Sequence, residues 1–193
     1  ILKSCFYVLN PTPSPVFWER QEIGKSPASS NGDMLCVTIG DGDNNGNVEV
    51  YAGSKDGGVY QFRWDGTKWD RKIVGTSTAK FGGEMLSVAV GDGDNDGKLD
   101  VYAACKDKSI YQFNWDGIKW DRKLVGTSTA RSGGEMLSVA VGDGDNDDRL
   151  DVYAACKDKN IYQFRFDGTN WQRSVINSGK NEILSVTVND GDN

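Results

Sequence analysis

An all-β fold, a β-propeller of four-stranded antiparallel blades, is what this sequence predicts, and three observations carry the prediction. Tryptophan recurs at Trp18, Trp69, Trp120 and Trp171, each 51 residues after the last, and Asp41, Asp92 and Asp143 keep the same spacing. Fixed periods of roughly this length mark repeat architectures. Each unit also holds four short strand signals and no helical periodicity. Finally, an Asp-Gly pair stands between the third and fourth signals of every full unit: Asp65-Gly66, Asp116-Gly117 and Asp167-Gly168. Both residue types tolerate positive φ, so the pair is a strong hairpin signal. Four antiparallel strands per unit, repeated, describe propeller blades that bury both sheet faces against their neighbours.

One unit serves for all. EMLSVAV (Glu135 to Val141) alternates, LDVYAAC (Leu150 to Cys156) is a short apolar run, IYQFRF (Ile161 to Phe166) puts Tyr162, Phe164 and Phe166 on one face, and WQRSVI (Trp171 to Ile176) alternates again. The chain as a whole reads as one propeller domain or propeller piece, residues 1–193, with full units at 34–84, 85–135 and 136–182 and partial ones at 1–33 and 183–193. FYVLN (Phe6 to Asn10) takes the third-strand place before a PTPSP turn, and Ser185 to Val188 takes a first-strand place. That gives 15 strands. The strand missing between the two ends is the second of a blade, so either the chain is a piece of a larger propeller or four blades close with Ser185 to Val188 pairing against the amino-terminal hairpin, one blade a strand short; self-association is a further way to complete the cut blade.

Between the first and second strands lies the chemistry. DGDNDGKLD, Asp92 to Asp100, sets carboxylates at Asp92, Asp94, Asp96 and Asp100 around Gly97. Calcium takes six to eight oxygens, and alternating carboxylates over a tight turn, with the carbonyl of Lys98, suit it. Gly97 permits the turn because it lacks a Cβ. An EF-hand would need a Glu at the twelfth position and flanking helices, but Ala103 is there and the flanks are strands. The first loop offers Asp41, Asp43, Asn45, the carbonyl of Asn47 and Glu49, with one charge fewer and a weaker grip. The third offers Asp143, Asp145, Asp147, the carbonyl of Arg149 and Asp151, with Asp148 in the glycine's place under some strain. A fourth begins at Asp190 and Asp192. Sites repeated in every blade suit a structural role, since catalysis normally needs one asymmetric constellation.

The net charge of −6 divides unevenly: the four acidic loops carry −12 and the rest +6. Basic residues recur singly along the repeats instead of forming a stripe, which argues against nucleic acid as a partner. No apolar run nears the roughly 18 residues of a membrane helix, so no membrane insertion is expected. The chain opens on Ile1, and its first ten residues lack the layout of a signal peptide. Processing or a fragment boundary upstream is therefore expected.

The unit SVAVGDGDNDGKLDVYAACKDKSIYQF resembles the FG-GAP or VCBS repeat of integrin α-subunit propellers, related fungal lectins and bacterial surface proteins. The name motif is only partly present, with YAAC (Tyr102 to Cys105) and YAGS (Tyr51 to Ser54) where a GAP-like ending is expected, so the VCBS-like branch fits better. The resemblance implies calcium between the first two strands, an extracellular or cell-surface location, and a role in adhesion, sugar binding or as an enzyme accessory.

The preferred reading is a non-catalytic binding or adhesion module, lectin-like, for a carbohydrate or glycoprotein. Its ligand face is expected opposite the metal loops, with Lys80, Arg131, Lys106 and Lys108 as candidate contacts, because polar loops on rigid scaffolds carry function. The pairs Trp64/Trp69, Trp115/Trp120 and Phe166/Trp171 either fill the wedge between blades, where large rings with polar tips pack well, or stack on sugar. The chain has no His, which removes the commonest general base. The alternatives are a scaffold fragment of a carbohydrate-active enzyme such as a polysaccharide lyase, and a purely structural surface protein. Cys36, Cys105 and Cys156 stand where other repeats have Ser and read as small filler, while Cys5 shows no pairing pattern; nothing suggests zinc.

Overall fold

The computed structural model describes residues 21–24, 32–79 and 83–189. Twelve strands form three four-stranded antiparallel sheets, each in sequential order. The first holds β1 (Met34–Gly40), β2 (Glu49–Ser54), β3 (Gly58–Trp64) and β4 (Trp69–Thr76); the second β5 (Met85–Gly91), β6 (Asp100–Cys105), β7 (Ser109–Trp115) and β8 (Trp120–Thr127); the third β9 (Met136–Gly142), β10 (Asp151–Cys156), β11 (Asn160–Phe166) and β12 (Trp171–Ser178). There is no helix among the described residues. These are propeller blades, and they do not close into a ring.

The core lies between blades because the second and third strands are apolar on both faces. Tyr51, Val59 and Val74 of the first blade pack with Met85, Val88, Val101, Ala103, Cys105, Tyr111 and Phe113 of the second, and the second packs on the third in the same way. Two features fix the register. In β4 and β8 the ladder skips Val74 and Val125, and these bulged residues are buried at 5% and 4% exposure against the next blade; a bulge re-aims a side chain in just this manner. The following glycine then makes room for a ring, since a Cβ on Gly75 or Gly126 would sit 2.3 Å from Phe113 or Phe164.

The pattern stops at the third blade. Ile176 holds the bulged position yet is 51% exposed, and Asn177 stands where Gly75 and Gly126 stand. At the other end Val37 and Ile39 are 67% and 68% exposed, while Val88, in the place of Val37, is 7% exposed under the preceding blade.

The strand expected at Ser185 to Val188 does not form a ladder: residues 182–189 carry no strand assignment. The segment still follows the inner-strand path. Val188 meets Gly142 as Val141 meets Gly91, and Val186 N–H donates to Ser138 Oγ at 3.3 Å. Among the described residues it has no second strand to pair with, and a lone segment closes no ladder. FYVLN and the loop at Asp190 lie outside the described residues.

Candidate metal loops and ligand faces

Each acidic loop is wound on its first aspartate. Both oxygens of Asp92 accept backbone N–H groups, from Asp96 at 2.9 Å and Gly97 at 3.0 Å. Asp41 does the same for Asn45 and Gly46, and Asp143 for Asp147 and Asp148. The side chain at the fifth position then accepts from the backbone at the seventh: Asn47 to Asn45, Lys98 to Asp96, Arg149 to Asp147. The glycine position is left-handed throughout, with φ of 86° at Gly46, 85° at Gly97 and 63° at Asp148. The strain expected at Asp148 is therefore real, because this region suits Gly and only tolerates Asp.

A residue type that sequence reasoning passed over holds the loops from the side. Gln112 of β7, fully buried, donates to Asp94 at 2.7 Å and Asp100 at 2.6 Å. Gln163 makes the same pair of contacts to Asp145 and Asp151, and Gln61 reaches Asp43 at 2.8 Å. The signal was the invariable glutamine of the YQF triplet within the repeat, set between two aromatic residues.

Three side chains in each loop bring a carboxylate oxygen within 4.8 Å of one another: Asp41, Asp43 and Glu49; Asp92, Asp94 and Asp96; Asp143, Asp145 and Asp147. These acidic clusters could hold a metal ion. In the second loop the chemistry fits one. Burial, then the charges of Asp94 and Asp96, push the Asp100 carboxyl up to about 7, with Gln112 opposing, and burial also raises Asp94. Asp94 Oδ1 is buried without a hydrogen-bond partner. A crowded, desolvated set of acids with an orphaned acceptor calls for a cation. Glu49 in the first loop is buried and likewise raised, chiefly by desolvation, and Asn45 donates to both Asp43 and Glu49. Rotating that amide would turn its oxygen inward. The third loop does not fit: Arg165 Nη2 pairs with Asp145, with Asp147 at 3.1 Å and with Asp151 at 3.0 Å. Asp145 is accordingly held below the usual carboxylate range, first by Gln163 and then by Arg165. Three of the carboxylates expected as ligands there already share a side-chain cation.

On the opposite face the second-to-third turns do meet the connections between blades, as the strand order requires. Lys106 Nζ pairs with Glu84 at 2.7 Å, and Lys108 Nζ donates to the carbonyls of Ala130 and Arg131. Both lysines thus hold the scaffold. Arg131 is exposed, and Lys80 lies outside the described residues. A cavity of about 320 Å³ opens here between the inner strands, lined by Lys106, Lys157, Glu84, Glu135, Leu86 and Leu137 among others.

The aromatic pairs divide their labour. Trp120 and Trp171 set their edges against Tyr51 and Tyr102 of the preceding blade, with ring centroids 6.2 Å apart in both cases. Their partners stand at the rim, and Trp64 is 46% exposed. Between β4 and β8 a cleft of about 550 Å³ is lined by Lys72, Ile73, Val74, Trp115, Ile118, Lys119 and Trp120. Cys36, Cys105 and Cys156 are free thiols, the last two buried. No helix among the described residues is long and apolar enough to cross a membrane.

A fucose-specific lectin from Aleuria aurantia is 27% identical over 147 residues, 73% of this chain. The match covers 45% of that lectin, so the chain spans less than half the length of the relative. A family model described as FG-GAP-like repeat matches residues 41–103, which run from the first acidic loop through β2–β5 and the second loop into β6. Residues 41–103, with their acidic loops and antiparallel strands, are thus similar to an FG-GAP-like repeat.

Proposed function

We propose that this chain is a non-catalytic, calcium-stabilised propeller module that binds carbohydrate outside the cell, with residues 34–84, 85–135 and 136–182 as its blades. The observation that carries the sugar reading is the rim cleft between β4 and β8. There the rings of Trp115 and Trp120 stand 5.4 Å apart beside Ile118, which is 86% exposed, and Lys72 and Lys119 line the same cleft. Sugar rings offer an apolar face and a hydroxyl edge, and mostly apolar sites with a few polar groups recognise such ligands. Similarity to a lectin supports the same class of ligand. Arg131 and the neighbouring cavity around Lys106 form a second candidate surface on the opposite side.

Calcium is the cation that the first two loops suit, being hard and oxygen-seeking. Asp41, Asp43, Asn45 and Glu49 would hold one ion, and Asp92, Asp94, Asp96 and Asp100 another, with the carbonyls of Asn47 and Lys98. The ions would fix the crossing from the first strand to the second.

A glycan array on calcium-loaded protein tests the whole. Saturable sugar binding without turnover, lost in W115A at unchanged melting temperature, is the expected result. Cleavage of a polysaccharide would favour the enzyme-scaffold alternative, and a blank array would leave only a structural role.

A further inference from the structure

Arg165 occupies the β11 position that Asn114 holds in β7 and Arg63 in β3. We propose that its guanidinium takes the place of the metal ion at the third loop, so that Asp143–Asp151 is closed by an internal cation and binds no calcium. The inference rests on the calcium reading of the first two loops and marks where that reading stops.

Three of the loop's carboxylates, Asp145, Asp147 and Asp151, converge on the one Nη2, and Nε adds a longer contact to Asp151 at 3.4 Å. Asp151 is 1% exposed, and a buried carboxylate needs a countercharge. Arginine supplies it permanently, through a planar fork of donors suited to carboxylates. A calcium ion at the same oxygens would have to displace this group or lie beside it against like-charge repulsion.

The other blades differ where they should. Asn114 is uncharged and touches only Asp100 of its loop, at 2.8 Å, leaving Asp92, Asp94 and Asp96 to a cation. Arg63 is exposed and turned toward a surface cavity with Asn47 and Asp65, while Asn45 donates to the first loop's acids from within. The third loop also lacks the backbone turn bond of its counterparts, Asn44 N–H to Asp41 at 3.2 Å and Asn95 N–H to Asp92 at 3.3 Å. It is wound to the same plan and closed differently.

The experiment counts calcium bound per chain by equilibrium dialysis on stripped protein, for the wild type, R165N and N114R. R165N should bind one ion more than the wild type, and N114R one fewer. R165N should also melt below the wild type in EDTA and recover when calcium is added, because its acids then gain the ion that replaces the guanidinium. Equal, non-zero counts in wild type and R165N overturn this proposal alone. Should R165N not fold, an unchanged count in N114R overturns it. If no protein binds calcium, the calcium reading of every loop falls and this proposal falls with it.

Discussion

Asn44 and Leu99, 55 residues apart in adjacent blades, exchange two hydrogen bonds: Asn44 Nδ2 donates to the Leu99 carbonyl at 2.9 Å, and Leu99 N–H donates to Asn44 Oδ1 at 2.8 Å. Asn95 and Leu150 repeat the exchange at 2.8 and 2.9 Å. The asparagine sits fourth in its acidic loop, at φ of 54° and 58°, and its amide mimics a strand partner. Each loop is thereby tied to the loop of the next blade, not merely to its own.

Removing that tie should be measurable. N95G keeps the left-handed backbone and deletes both bonds, so it should lose about 1 to 3 kcal/mol in urea unfolding, each bond contributing roughly 0.5 to 1.5. Asn146, at φ of 56°, makes no such exchange among the described residues. N146G should therefore be close to neutral, and an equal loss in the two variants would count against the latch.

Ligand charge should grade the loops. D96N gives the second loop the asparagine that the first has at Asn45, and its calcium affinity should fall by about tenfold, since charge count tunes such sites. Titration calorimetry on stripped protein reads this directly. In thermal melts with calcium at ten times Kd, each occupied site should add about 1.4 kcal/mol that EDTA removes.

Packing between blades should be intolerant at one atom. G126A places a methyl group about where the Phe164 ring lies, and overpacking of this kind costs about 1 to 3 kcal/mol. The double variant G126A/F164L should recover part of the loss. An additive double variant would show that the ring is not the obstacle.

The Asp-Gly turns predict a response to acid. Asp65 Oδ1 accepts from the Thr67 hydroxyl at 2.7 Å and from two backbone N–H groups, and these bonds hold its carboxyl down at about 2. Asp116 and Asp167 are lowered by equivalent backbone bonds. Groups depressed in the folded state stabilise it above their unfolded value and lose that contribution as pH falls through the folded one. Stability should accordingly decline from about pH 4 toward pH 2, and the triple variant D65N/D116N/D167N should flatten that part of an acid-unfolding profile.

Much of this was legible beforehand for a physical reason. A 51-residue period, alternating strands and Asp-Gly turns are local signals, and twelve strands formed where they placed them. The loop carboxylates also declared themselves, because their spacing is set by one turn of backbone. Contacts that cross the repeat were hidden. Gln112 beneath the loop, Asn44 reaching Leu99, and Arg165 reaching Asp145 each depend on which strand lies beside which. The contacts of Lys106 with Glu84 and of Lys108 with the Ala130 carbonyl were hidden for the same reason. Ser185 to Val188 had the residues of a strand and wanted only a neighbour.

The fit of Phe113 into Gly75 and of Phe164 into Gly126 has a bearing on how such a chain can lengthen. A duplicated blade must export a notch and import a ring. An extra copy of residues 85–135 inserted before Met136 meets both requirements, because its glycine faces a phenylalanine on one side and its phenylalanine a glycine on the other. Placed after β12, the same copy would drive its Phe113 ring against Asn177. The array is open to growth in its middle, and at its third blade it accepts only a neighbour of another shape.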